Sequence, residues 1–212
     1  MSLQMPNSWY KNFAELIQSE REHFAFKRRV NTRWSRVAVI APHGGGIEPG
    51  TTEIARAIAG WAFSFYSFEG IKNSGNDILH ITSTLFDEPK CIALLQRSEF
   101  AAAIHGCEGW EAATFIGGLD EELGARLIDA LNAAGFRASK ADENYAGLQP
   151  NNICNRGRSG KGVQLELTSG LRRSMFKGLG RQERFETRPI FRKFALTVRK
   201  TLADYDRESR GR

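Results

Sequence analysis

His43 and Glu48 are the most chemically informative pair in the sequence, because they are separated by little more than the three glycines at 44–46. After Arg36, residues 37–42 form an apolar run that is rich in β-branched residues and closed by a proline, which predicts a buried strand that delivers His43 at its carboxyl end, where α/β sheets present ligands. The glycines allow a tight turn that returns Glu48 toward the imidazole. Nitrogen and oxygen donors at this spacing could form half of a zinc site.

A glycine-rich turn that precedes a helix could instead bind phosphate. The segment lacks both the Lys-Ser/Thr ending of a P-loop and the GxGxxG spacing of a dinucleotide fingerprint. The residues therefore favour a metal over a phosphate group.

A catalytic zinc needs a third protein ligand and an open position for water. His80 and His105 are the candidates, since both lie in apolar runs that predict interior strands, at 78–82 and 100–106. His105 stands at the carboxyl end of its run, as His43 does, whereas His80 lies mid-run. We therefore expect His105 to be a ligand and His80 to be structural or to support the ligands. His23 is expected on the surface of the first helix.

Metal-activated hydrolysis also needs a base that takes a proton from water and returns it to the leaving group. Residues 163–168 alternate with period two, so Gln164, Glu166 and Thr168 share one face of a predicted strand. The alternative is a polar face that simply meets water. An acidic residue among strand leucines is more often paired or functional, which makes Glu166 the candidate base.

Polar and basic residues cluster around that strand, including Asn155, Arg156 and Arg172. A guanidinium fork matches a carboxylate, so these side chains suit an acidic substrate, although phosphates of a nucleic acid would be bound equally well. Residues 1–150 carry 14 Lys/Arg against 18 Asp/Glu, and residues 151–212 carry 16 against 6. This asymmetry indicates a polyanionic partner or a solvated basic helix face.

Short apolar runs alternate with helical patterns, which predicts an α/β fold. Besides the strands already named, we expect a strand at 112–118 and a long polar loop at 140–161. The predicted helices are 12–24, a core helix from Thr51 or Thr52 through Phe65, one starting at Pro89, one capped by Asp120 and a last one containing residues 191–202.

The composition argues against a disulfide-rich, a membrane-spanning or a secreted protein. Three widely spaced cysteines, Cys91, Cys107 and Cys154, predict reduced thiols rather than a disulfide framework. No apolar run approaches the ~20 residues that span a bilayer. The first residues lack the layout of a secretory signal, so we expect a cytoplasmic protein.

Several segments together resemble the poly-γ-glutamate hydrolase family of Bacillus phages and prophage-linked bacterial homologues. They are PHGGGIEPGT, LHITSTLFDEP, IHG, NICNRG and GVQLELTSGLR, in that order, between residues 37 and 173. The resemblance implies a zinc carboxypeptidase-like fold, hydrolysis of γ-glutamyl amide bonds and zinc held by His43, Glu48 and His105. It places the base on Glu166 and likens Asn155 and Arg156 to the pair that binds a substrate carboxylate in carboxypeptidases.

The sequence thus predicts one α/β domain over residues 1–212, with a mixed, mostly parallel sheet flanked by helices. We expect a zinc hydrolase acting on poly-γ-glutamate or another γ-glutamyl substrate, with Arg156 and Arg172 neutralising substrate carboxylates, and no membrane association. If the protein is of phage origin, cell lysis would release it. The alternative is a phage-related replication or nucleic-acid-binding protein that uses the basic residues 151–212.

Overall fold

The computed structural model describes residues 9–210; residues 1–8, which carry much of the prediction about a secretory signal, lie outside the described part, as do residues 211–212. Within it, seven strands form one sheet in the order β1-β3-β2-β4-β7-β5-β6. The strands are β1 (Phe26–Asn31), β2 (Val37–Gly45), β3 (Ser64–Gly70), β4 (Phe100–Cys107), β5 (Ala113–Gly117), β6 (Arg137–Lys140) and β7 (Val163–Thr168).

The sheet is mixed and mostly parallel, as predicted. β3, β2, β4 and β7 run parallel to one another, whereas β1 is antiparallel to β3 and β5 is antiparallel to β7. The strand order reverses between β2 and β4. The strand that follows β2 in the chain, β3, lies on the side of β2 away from β4, whereas the strand that follows β4, β5, lies on the side of β4 away from β2. A crevice therefore opens at the carboxyl ends of β2 and β4, where ligands bind in sheets of this kind.

Helices cover both faces of the sheet and create two hydrophobic clusters. They are α1 (Phe13–Ser19), α2 (Thr51–Ala59), α3 (Pro89–Leu95), α4 (Glu121–Ala133), α5 (Ser169–Met175) and α6 (Pro189–Ser209). One face packs against α2, α4, α5 and α6, and the other against α1, α3 and the loops around Leu79 and Ile153. No helix within residues 9–210 is long and apolar enough to cross a membrane.

The helices and strands with a clear local sequence pattern lie where the sequence predicts them. β2, β4, β5 and β7 lie on the predicted runs, α3 begins at Pro89, and the carboxylate of Asp120 caps α4 by accepting the Leu123 N–H. On α6, Phe194, Ala195, Val198 and Leu202 are buried, whereas Phe191 only packs against the edge of the core. β2, β4 and β7 are buried along almost their whole length, whereas α6 buries one apolar stripe, so short strand patterns and helical periodicity were sufficient to place them.

Three predictions about the first half of the chain were wrong. The first helix ends at Ser19, and the edge strand β1 follows, so exposed His23 lies in the intervening turn. The helix from Thr51 ends at Ala59, because Gly60 has a φ of 51° and the chain turns into β3, which the sequence reading missed. Residues 78–82 form no strand; a 3-10 turn at Asn76–Leu79 leads into an irregular segment.

Candidate metal and catalytic site

A tight turn after β2 brings Glu48 back to His43. The Glu48 N–H donates to the carbonyl of His43 at 2.9 Å, and Glu48 Oε1 lies 2.9 Å from His43 Nδ1. Gly45 has a φ of 67°, which favours glycine, and a Cβ on Gly44 would overlap the hydroxyls of Thr52 and Ser67. The glycine run therefore closes the turn as the sequence predicts.

A bulge in β2 sets the direction of His43. The register against β3 advances by three residues from Ala41 to Gly44 but by two from Ser67 to Glu69. Pro42 has no N–H for the ladder, so the strand breaks pairing at this point. The extra residue moves His43 from the face of Val39 and Ala41 to the opposite face, where its ring stacks on His80 with centroids 3.9 Å apart.

His105 completes a group of three candidate metal ligands. It lies near the end of β4, and its Nδ1 is 3.2 Å from His43 Nδ1 and 3.7 Å from Glu48 Oε2. Ligand atoms of His43, Glu48 and His105 all lie within 4.8 Å of one another. The Gly106 N–H donates to Glu48 Oε2 at 2.8 Å, which fixes the carboxylate against β4.

The hydrogen bond on the far side of His43 determines which nitrogen is available to a metal. His43 Nε2 donates to the carbonyl of Ile81 at 2.7 Å, so in the neutral ring Nδ1 carries the lone pair. That lone pair points at His105 Nδ1 and Glu48, which leaves a place for a cation between them. Two nitrogens each about 2 Å from a tetrahedral zinc are roughly 3.3 Å apart, so the donor set fits zinc.

Burial and mutual contact shape the charges of this group. Burial, with His80 beside it, lowers the pKa of His43 to about 4. Burial acts to raise the pKa of Glu48, but His43, His105 and His80 together hold it well below its usual value. A neutral imidazole and an ionised carboxylate are the protonation states that a metal requires.

Glu166 lies beside the candidate ligands. It pairs in register with His105 across β4 and β7, is buried, and accepts a hydrogen bond of 3.2 Å from Gln164 Nε2. Burial raises the pKa of Glu166 to about 7 against the opposing effect of His105. Gln164, Glu166 and Thr168 are all buried, so the polar face of this strand does not meet open water.

His80 is placed at the site by a turn and not by a strand. Its N–H donates to the Asp77 carbonyl at 3.0 Å, and its Nε2 lies 3.7 Å from Glu48 Oε1. Its Nδ1 is buried without a hydrogen-bond partner among the described residues. His80 thus packs on His43 and adds a polar group to the wall of the site.

These groups line a cleft of about 500 Å³ at the carboxyl ends of β2 and β4. Its wall also includes Tyr145, Gln149 and Asn152 from the loop after β6, and Cys107 at the end of β4. A donor set that fits zinc, a buried carboxylate and an adjoining cleft are the parts of a metallohydrolase site.

Comparison with known proteins identifies the family. The model of the family described as poly-gamma-glutamate hydrolase matches residues 10–197. The chain belongs to the poly-γ-glutamate hydrolase family. It is 40% identical over 169 residues to the UPF0714 protein YndL of Bacillus subtilis (strain 168), an alignment that covers 79% of this chain and 66% of YndL.

Solved structures agree with this assignment. A bacteriophage poly-γ-glutamate hydrolase superposes with a TM-score of 0.91 at 34% identity, covering 94% of this chain and 98% of the other. The zinc-free form of YndL gives a TM-score of 0.90 at 35% identity, covering 94% and 99%. N-formylglutamate amidohydrolase from Ralstonia eutropha JMP134 gives 0.58 at 12% identity, covering 87% and 99%, which shows a shared fold alone.

Arg172 has a different environment in this family member from the one expected for a substrate-binding arginine. Its buried guanidinium donates to three backbone carbonyls, those of Leu167 at 3.1 Å, Cys107 at 2.9 Å and Pro49 at 2.9 Å. Gly106 makes room for it, since a Cβ there would lie 2.7 Å from Arg172 Cζ. Arg172 thus ties the turn of Glu48 to β4 and β7, although it also borders the cleft.

Asn155 and Arg156 are not brought to the cleft. The buried Asn155 amide donates to the carbonyls of Gly147 and Gln149, and its Oδ1 accepts the N–H groups of Leu119 and Gly162. Those bonds organise the loop and leave little capacity for a substrate carboxylate. Arg156 is exposed and is not part of the cleft wall.

The basic residues of the C-terminal third are largely used within the fold. Arg184 and Arg199 donate to backbone carbonyls of Leu179 and Ile58, as Arg172 does elsewhere. Other cations pair with nearby carboxylates: Lys177 with Glu186, Lys200 and Arg207 with Asp204, and Arg210 with Asp206. This distribution does not favour the alternative of a nucleic-acid-binding surface built from residues 151–212.

Proposed function

We propose that this chain is a zinc-dependent hydrolase that cuts the γ-glutamyl amide bonds of poly-γ-glutamate. The observation that carries the proposal is the convergence of His43, Glu48 and His105 beside buried Glu166 in one cleft. Family membership supplies the substrate class, and the existence of a zinc-free form of the relative YndL supports the choice of zinc.

The ligand roles follow from the donor atoms. His43 and His105 would bind zinc through Nδ1, and Glu48 through its carboxylate. Zinc in such a site supplies polarisation of a carbonyl oxygen and activation of water. The Ile81 carbonyl would hold His43 in the required tautomer, and the Gly106 N–H would keep the Glu48 carboxylate in place.

Glu166 would move the proton. Its carboxylate would accept a proton from the attacking water and return it to the leaving amine nitrogen, which splits the amide into a carboxylate and an amine. Burial gives it a pKa of about 7, close to the range in which a group can both accept and release a proton at neutral pH. Gln164, anchored by Asn152 and the Tyr145 carbonyl, would orient it.

The proposal is tested by metal content together with polymer cleavage. Purified protein should contain near-stoichiometric zinc and should shorten poly-γ-glutamate, followed by size-exclusion chromatography and by the appearance of new amino groups. Removal of zinc by a chelator should abolish cleavage, and added zinc should restore it.

The matched control is α-linked polyglutamate, which carries the same charge on a different backbone. It should remain intact under the same conditions. Protein that contains no zinc, or zinc-loaded protein that cuts both polymers equally, would contradict the proposal.

A further inference from the structure

The cleft itself carries the wrong charge for an acidic polymer. Its wall contains five acidic residues and one arginine: Glu48, Asp77, Glu108, Glu143, Glu166 and Arg172. The two positive charges of a zinc ion would not cancel that excess. A polyanion is therefore not drawn to this site by the residues that line it.

Positive charge lies next to the cleft instead. A groove of about 550 Å³ shares Pro49 and Asp77 with the cleft wall. It shares Arg181, Gln182 and Arg184 in turn with a further groove of about 750 Å³. We call these two connected grooves the basic groove. Six of its residues are basic and three are acidic; the basic ones are Lys27, Arg29, Arg56, Lys72, Arg181 and Arg184.

The sheet explains why the basic groove lies next to the site. Gly45, Gly46 and Gly70, which lie at or just beyond the carboxyl ends of β2 and β3, line the groove, and α2 residues between 52 and 57 form another side. The groove therefore runs from the cleft wall at Pro49 and Asp77 toward β1 at the edge of the sheet, along the same end of the strands as the cleft.

Internal ion pairs neutralise only part of this charge. Glu69 pairs with both Lys27 and Arg29, at 3.1 and 2.7 Å, and Glu53 pairs with Arg184 at 3.1 Å. Lys72 pairs with Glu20, at the end of α1, at 2.9 Å. Arg56 is exposed on α2. A chain of regularly spaced carboxylates lying here would meet a net positive surface along its length.

We propose that the basic groove binds the uncut portion of an acidic polymer and supplies the attraction that the acidic cleft lacks. The inference rests on the proposed function and adds where the substrate lies. A carboxylate polymer is favoured over a nucleic acid because the groove adjoins the cleft at Pro49 and Asp77, and a long substrate must extend beyond the cleft. Exposed Phe24 and Phe185 also border the groove, so single-stranded DNA is the competitor to test.

The test compares substrates of different length in charge-reversal variants. Lys72→Glu alters the groove nearer the cleft and Arg56→Glu the groove farther away. Arg97→Glu makes the same change at an exposed position just before the amino end of β4, at the opposite end of the sheet. All three should give wild-type circular dichroism and zinc content, although Lys72→Glu also breaks the ion pair with Glu20 and should be slightly less stable than the other two.

At low ionic strength Lys72→Glu and Arg56→Glu should each raise KM for long poly-γ-glutamate by about tenfold, and added salt should shrink the difference. The increase should become smaller as γ-glutamyl oligomers are shortened, and Arg56→Glu should lose its effect at a greater length than Lys72→Glu. Arg97→Glu should match wild type on every substrate.

Equal effects of Arg97→Glu and the groove variants, or effects independent of oligomer length, would overturn the inference while leaving the proposed function intact. If wild-type protein cleaves neither the polymer nor the oligomers, both this inference and the proposed function are wrong. Single-stranded DNA of matched charge that competes more strongly than an uncleavable acidic polymer, with Lys72→Glu relieving the competition, would make the groove a nucleic-acid site and also overturn the inference.

Discussion

His105 on β4 and Glu166 on β7 occupy the same rung of the parallel sheet. Register partners on adjacent strands project from the same face, so a candidate metal ligand and the candidate base lie side by side without an intervening loop. Burial acts to lower the pKa of His105, but Glu166 and Glu48 outweigh it and raise that pKa. The register between β4 and β7 thus places the proposed metal ligand His105 next to the proposed base Glu166.

Replacement of His43 by alanine should remove most of the zinc and nearly all turnover while the fold persists. The warrant is the packing of β2, where Val37, Val39 and Ile40 are fully buried independently of any metal. Zinc content, poly-γ-glutamate cleavage and thermal unfolding of the variant, compared in zinc-free form with zinc-free wild type, measure the three effects.

His23→Ala is the control for that experiment, because it removes an exposed imidazole that is not part of the cleft wall. This variant should keep its zinc. If zinc-free His43→Ala instead unfolds far below zinc-free wild type, the imidazole has a structural role that the packing of β2 does not account for.

Glu166→Gln should retain zinc and lose activity. The amide keeps the shape of the carboxylate, and its oxygen can still accept the hydrogen bond from Gln164, but it cannot take up a proton. Positioned acid–base groups contribute about 10²–10⁴-fold, so kcat should fall within that range. If the kcat of the variant stays within a few-fold of wild type, Glu166 is not the base. If the variant loses its zinc, Glu166 is a ligand.

The sequence was informative where a local pattern decides the structure. β2 and β4 are apolar runs that pack in the interior, β7 alternates apolar and polar residues, and each was predicted. β3 was missed because its buried residues follow α2 without a polar gap, so the two elements read as one helix through Phe65. β1 was missed because, as an edge strand, it carries Lys27, Arg28 and Arg29 where an interior strand would be apolar.

The candidate site likewise has features that the sequence reveals and features that it does not. The approach of Glu48 to His43 follows from three glycines and a short spacing, which are visible in the sequence. The environment of Arg172 is not, because its partners are backbone carbonyls of Pro49, Cys107 and Leu167, and backbone carbonyls are present at every position. The acidic wall of the cleft was also hidden, since Asp77, Glu108 and Glu143 come from three separate loops.

Gly44→Ala should destabilise the protein and weaken zinc binding. Its methyl group would overlap Thr52 Oγ1 and Ser67 Oγ, so the turn between His43 and Glu48 would have to shift. Such overpacking typically costs 1–3 kcal/mol, or about 2 kcal/mol here. Gly124→Ala on α4 is the control, because its methyl group would meet only Ile116 Cγ2 at 3.7 Å and helix propensity favours alanine. Urea unfolding should show the control slightly more stable than wild type.

Arg172→Ala should lower the free energy of unfolding by roughly 3 kcal/mol, because three backbone carbonyls lose charged donors in a buried site. Arg173→Ala, which removes an exposed arginine from the next position, should stay within about 0.5 kcal/mol of wild type. Urea unfolding of the zinc-free proteins measures both changes.

Zinc affinity separates a positioning role for Arg172 from direct binding of substrate. Since Arg172 Nη1 donates to the carbonyl of Pro49, the residue after Glu48, Arg172→Ala should also bind zinc more weakly in a competition titration with a chelator. Arg172→Lys should recover part of this loss, because an ammonium can reach one of the carbonyls. If instead both variants have the stability and the zinc affinity of wild type but show a raised KM for poly-γ-glutamate, Arg172 contacts substrate carboxylates, as the sequence alone predicts.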